Sequence, residues 1–146
     1  VGEIEPVSRL DREILAERAA VVERHLARVR QKLPADPEDL RPATDSSDAV
    51  ILHLLQAVQV VIDLAMSACI HFHLGTPASY GDAFLRLAEG GHLERELALR
   101  LVRAAGFRNA VTHNYDSLDM LRVHRSASEG PRDLRAFLAA LAATVV

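Results

Sequence analysis

The apolar run from about Ser47 to Leu74 constrains the fold more than any other part of the chain. Its length and composition call for one long helix, which Thr44, Asp45, Ser46 or Ser47 can cap. Such a run is long enough to span a bilayer. Yet His53, Gln56, Gln59, Asp63, Ser67 and His71 follow one another at three- and four-residue steps, a polar stripe that hydrocarbon would penalise. The run therefore reads as the buried central helix of a soluble bundle, with no membrane partner. Asp63 stands among Val60, Ile62, Leu64 and Met66. A carboxylate there is costly unless paired, so a partner is expected, either inside the bundle or at a functional site.

The remaining segments also have helical periodicity. Leu10, Ile14, Val21, Val22, Leu26, Val29 and Leu33 recur at helical intervals among charged residues and predict a helix over roughly residues 8–33. His25 on its flank reads as ordinary packing. Pro34, Pro37 and Pro42 then impose a loop. Ser79, followed three residues later by Asp82, resembles a weak capping box for a short helix that ends at Glu89, before Gly90-Gly91. Leu93, Leu97, Leu101 and Ala104 mark the next apolar stripe. Gly106 within it serves either a close backbone approach or a kink. Past Asp119, one helix is expected over Met120–Arg125, and Gly130-Pro131 is expected to start a last one through Leu134, Phe137, Leu138 and Leu141.

These segments predict an all-α bundle of about five helices, forming a single domain over residues 1–146. With 49% hydrophobic but only 4% aromatic residues and no Trp, its core must be largely aliphatic. The single Cys69 cannot form an internal disulfide, and no signal sequence opens the chain, which points to the cytoplasm.

Against this aliphatic background, Arg108-Asn109-Ala110-Val111-Thr112-His113-Asn114-Tyr115 gathers a guanidinium, an amide, an imidazole and a phenol. In a helix, Asn109 and His113 share a face, so the amide could fix the protonation of one ring nitrogen. Arg108 lies roughly 140° round the helix from His113 and about 7.5 Å along it, so their tips diverge within one chain. A second copy could reunite them. Asn114 tolerates a left-handed helix end, which would leave His113 in a last turn whose dipole favours its protonated form. Extended backbone beyond that end would bring Tyr115 to the same side as His113.

A net charge of −3 argues against a general nucleic-acid coat. Between Arg100 and Arg125, however, five Arg stand against Asp116 and Asp119, a local balance of +3 with His neutral. Glycine-rich phosphate loops, a nucleophile elbow, paired zinc ligands and the Glu-x-x-His of di-iron bundles are absent, and His71-x-His73 would face opposite sides of a helix. No metal or cofactor site is therefore read. Acid and base work by His113 remains. RNA carries its own nucleophile, the 2′-hydroxyl, so one imidazole to move protons and one guanidinium to bind phosphate suffice.

The order Arg, Asn, three residues, His, one residue, Tyr resembles the Arg-x4-His-x-Tyr motif of the HepT-like toxins in the HEPN superfamily. The stretches HLLQAVQVVID and PASYGDAFLRLAEGG extend the likeness over roughly residues 45–125. The resemblance implies a small helical, metal-independent ribonuclease, with Arg108 and His113 catalytic in a homodimer cleft, beside which the residues themselves offer Asn109 and Asp63 as candidate supporting residues. It also implies a type II toxin–antitoxin system in which an MntA-like nucleotidyltransferase antitoxin transfers AMP to Tyr115. Two other readings remain open on the residues alone: a non-catalytic helical partner or substrate platform for a nucleotidyltransferase, and a plain dimerisation module.

Overall fold

The apolar run forms a helix at the centre of the molecule. In a computed structural model, which describes residues 10–145, it is α2 (Asp45–His71), one of five α-helices with α1 (Arg12–Lys32), α3 (Tyr80–Glu89), α4 (Arg95–Asn114) and α5 (Met120–Thr144). No strand occurs among the described residues. α1 lies along α2, α3 along α4, and α5 closes over α1, α2 and α4. The core is aliphatic apart from Phe84 and Phe137, which meet edge to face with centroids 5.6 Å apart.

Local chemistry sets the boundaries. The Asp11 carboxylate accepts from Ile14 N–H, so α1 begins at Arg12 rather than near residue 8; positions 8 and 9 lie outside the described residues. Thr44 caps α2 through a reciprocal box with Ser47. α2 ends at His71, short of Leu74, because His73 and Gly75 adopt positive φ (59° and 88°). Ser79 caps α3, and Asp82 accepts from Ala78 N–H while holding Arg86, whose guanidinium also donates to the Leu74 carbonyl. The turn before α3 is thereby fixed.

Two expectations fail here. α2 is buried on one side only. Val50, Leu54, Ala57, Val61, Ile62 and Ala65 face the core, whereas Leu52, Gln56, Asp63 and Ile70 are exposed. By length and composition α2 could cross a membrane, but half of its most apolar window is buried inside the bundle. Asp63 thus sits in solvent, and the desolvation that would demand a partner does not arise. The second failure is at the C-terminus, where the two expected helices are one, with Pro131 inside α5. A proline's ring normally clashes with the Cβ of the residue before it; Gly130 has none, so the helix continues past the missing N–H. Buried Leu134, Phe137, Leu138 and Leu141 hold the segment beyond it against the core.

Candidate active site at the exit of the fourth helix

α4 runs antiparallel to α2, as its contacts along the motif show: Arg108 meets Gln59, and seven residues later Tyr115 meets Asp48. Asp48 and Gln59 are eleven residues apart, close to three full turns, so both lie on the α2 face that looks toward α4, about 16 Å apart. This places the motif along one side of α2.

Arg108 is held on three sides. Its Nε donates to Gln59 Oε1 at 3.1 Å, its terminal nitrogen donates to Asn109 Oδ1 at 3.2 Å, and its guanidinium carbon lies 4.9 Å from the centre of the Tyr80 ring. Gln59 in turn donates from Nε2 to Asp63 Oδ1 at 2.9 Å. The amide is therefore oriented by the carboxylate, with its oxygen toward the guanidinium. Asp63 reaches Arg108 through Gln59 and makes no ion pair with it. Asn109 likewise serves Arg108. Its amide oxygen accepts from the guanidinium, and the expected bond from Asn109 to the His113 ring does not occur.

His113 lies in the last turn of α4, exposed, and among the described residues it meets no hydrogen-bond partner. Arg108 faces α2 and α3 while the imidazole stands in solvent beyond them, so the two are not joined within one chain. The left-handed end expected at Asn114 is absent (φ −139°, ψ 42°). The chain passes instead into a 3-10 turn over Tyr115–Ser117, with Tyr115 itself helical (φ −52°, ψ −43°). No extended backbone carries Tyr115 toward His113. Its hydroxyl donates to Asp48 Oδ1 at 2.6 Å, tying the exit of α4 to the first turn of α2. That bond to a carboxylate, reinforced by partial burial and by the charge of Asp48, pushes the phenol up to about 12. Tyr115 remains 44% exposed.

Three of these participants escape sequence reasoning as site residues. Gln59 was visible in the polar stripe, four residues before Asp63. Asp48 reads only as part of a helix start. Tyr80, first residue of a short helix, lies in the stretch PASYGDAFLRLAEGG, but nothing in its spacing ties it to Arg108. Among the described residues, no three His, Cys, Asp or Glu side chains gather into a possible metal site.

A five-helix bundle carrying Arg-x4-His-x-Tyr across the exit of its fourth helix, alongside an antiparallel core helix, has the frame of a HEPN-type protein. A family model described as ribonuclease HepT-like matches residues 22–141, and the chain belongs to that family. It is 28% identical over 108 residues to the mRNA nuclease HepT of Shewanella oneidensis, covering 74% of this chain and 80% of that protein. Among solved structures, a toxin–antitoxin complex with AMP-PNP superimposes with a TM-score of 0.81 at 25% identity, over 90% of this chain and 98% of that one. The tri-AMPylated Shewanella oneidensis HEPN toxin, in complex with its MNT antitoxin, gives a TM-score of 0.79 at 26% identity, over 89% of this chain and 97% of that one.

Proposed function

We propose that this chain is the metal-independent ribonuclease toxin of a toxin–antitoxin pair, acting on RNA in the cytoplasm as a homodimer. Arg108 of one copy and His113 of the other share a cleft. His113 takes the proton of a ribose 2′-hydroxyl as that oxygen attacks the adjacent phosphorus, and returns it to the 5′-oxygen as the P–O5′ bond breaks. Arg108 donates to the phosphate oxygens on which negative charge accumulates. The observation that carries this reading is the contrast between the two groups. The guanidinium is preorganised by Gln59, Asn109 and Tyr80, while the imidazole stands open at a helix end.

The antitoxin of this reading is an MntA-like nucleotidyltransferase that transfers AMP to Tyr115. The added phosphodiester would put negative charge at the exit of α4, where it repels an RNA phosphate approaching the site. RNA cleavage by the purified chain tests the proposal. Arg108→Ala and His113→Ala should each abolish cleavage with the helical circular-dichroism signal intact, and EDTA should leave the wild type active. Cleavage that vanishes with EDTA would refute the metal-free mechanism. Full activity in His113→Ala would remove the imidazole from the chemistry, and no cleavage by the wild type would leave a non-catalytic platform for the nucleotidyltransferase as the better reading.

A further inference from the structure

The hydrogen bond between Tyr115 and Asp48 has no step in RNA cleavage, yet it joins two exposed side chains, one at the exit of α4 and one in the first turn of α2. Asp48 Oδ1 lies 2.6 Å from the phenolic oxygen, within direct proton-transfer distance. Tyr115 as a residue is 44% exposed, at a surface an incoming reagent can reach. We infer that Asp48 is the general base for nucleotidyl transfer to Tyr115, so that the acceptor brings its own base to the modifying enzyme. The inference rests on the reading of Tyr115 as the AMP acceptor and extends it to the chemistry of the step.

The phenolic oxygen attacks the α-phosphorus of a nucleoside triphosphate, the bond from that phosphorus to the bridging oxygen breaks, and pyrophosphate leaves with the bonding pair. The phenolic proton passes to Asp48 Oδ1 and from there to water. A base is needed because the phenol, raised to about 12, keeps its proton at neutral pH and is a weak nucleophile until that proton moves. The carboxylate also fixes direction. By accepting the O–H bond it leaves the oxygen's lone pairs free for in-line attack from the solvent side. In the product the oxygen has no proton to donate, so the tie between the exit of α4 and α2 is released. The neighbouring carboxylate, Asp116, raises the phenol only as a distant charge and makes no hydrogen bond to it, so it does not serve as the base.

The test is the single-turnover rate of AMP addition, read by intact mass, for the full chain mixed with ATP and the nucleotidyltransferase that neutralises it. Asp48→Asn retains an acceptor oxygen that can hold the phenol but cannot take its proton. It should slow transfer at least about 100-fold, with little change in the chain concentration giving half the maximal rate. Asp48→Glu should restore part of the rate. Asp116→Asn should match the wild type, and all three variants should cleave RNA as the wild type does. A rate for Asp48→Asn within threefold of wild type would overturn the inference and assign the base to the modifying enzyme. An equal loss in Asp48→Asn and Asp48→Glu would reduce Asp48 to a positioning contact and overturn it as well. Absence of AMP from the wild type, or its presence on Tyr115→Phe, would overturn the acceptor reading itself.

Discussion

At the scale of single residues, the motif is organised by groups outside it. Among the described residues, Gln59 supplies the only hydrogen bond from α2 to Arg108, and Asp63 fixes which end of that amide faces the guanidinium. Removing the amide in Gln59→Ala leaves the charge stacked on Tyr80 but free to rotate. One hydrogen bond to a charged group is worth roughly 1.5 kcal/mol, so RNA cleavage should fall about tenfold with folding unaffected, against complete loss for Arg108→Ala. Wild-type turnover in Gln59→Ala would show that the contact does not orient Arg108. Tyr115 gives a second residue-level expectation. Its folded pKa is raised to about 12 above the ordinary 10.0, so any stability tied to the bond is complete below pH 10 and is lost as pH climbs through 12. Ultraviolet titration in a Tyr80→Phe background should show the single remaining phenol ionising near 12, and Asp48→Ala should return it toward 10.0. An unchanged midpoint would dissociate the phenol from Asp48 in solution.

Helix by helix, sequence periodicity located the five α-helices but could not decide continuity or facing. Val50, Leu54, Val61 and Ile62 announce an amphipathic core helix. That Asp63 faces solvent instead of the core follows from where α1 and α4 lie across α2, which only the assembled bundle determines. Gly130-Pro131 carries a local stop signal, overridden by the apolar residues beyond it. In the motif, Arg108 and His113 were legible because their chemistry and spacing are local. Asp48, Gln59 and Tyr80 were not, because each meets the motif across more than two dozen residues of chain. The α1–α2 contact shows the same limit: His25, which reads alone as packing, places Nδ1 3.0 Å from Nδ1 of His53. One ring must accept, so two imidazolium rings cannot keep this bond. Burial, then the charges of His53 and Arg24, hold His25 below its ordinary 6.5. With the folded value depressed, the unfolded chain binds more protons below about pH 6.5. The associated stability is present above that pH and lost as pH falls toward and through the folded value. Melting temperature should therefore drop between pH 7.5 and 5.5, and His25→Gln, which can still bond to His53, should flatten that drop. An equally steep decline in the variant would place the acid sensitivity elsewhere.

For the whole molecule, the question is what covers the open side of α2 and completes the site. Leu52 and Ile70, exposed by 50% and 63%, lie on that side with the edge of the Gln59 relay, and Leu99 and Leu121 are exposed on α4 and α5. Gly106 in the middle of α4 also faces open space, where an added Cβ would meet nothing within 4 Å. An isolated chain gains nothing from a glycine there, since alanine is better in a helix by about 1 kcal/mol. A second copy lying close against α4 would account both for the glycine and for the apolar residues left in water. It would also supply what one chain lacks, because Arg108 turns toward α2 and α3 while His113 stands beyond them. If each cleft draws Arg108 from one copy and His113 from the other, then Arg108→Ala and His113→Ala chains, each inactive alone, should regain activity when unfolded together and refolded as a mixture. A random mixture is half heterodimer, and each heterodimer keeps one intact pair across the interface, so recovery of about a quarter of wild-type cleavage is expected, against none for either variant refolded alone. Light scattering at micromolar concentration should report a dimer throughout. A dimer whose mixed variants stay inactive would mean that Arg108 and His113 of the same chain serve one cleft, and a monomer that cleaves RNA would remove the shared site altogether.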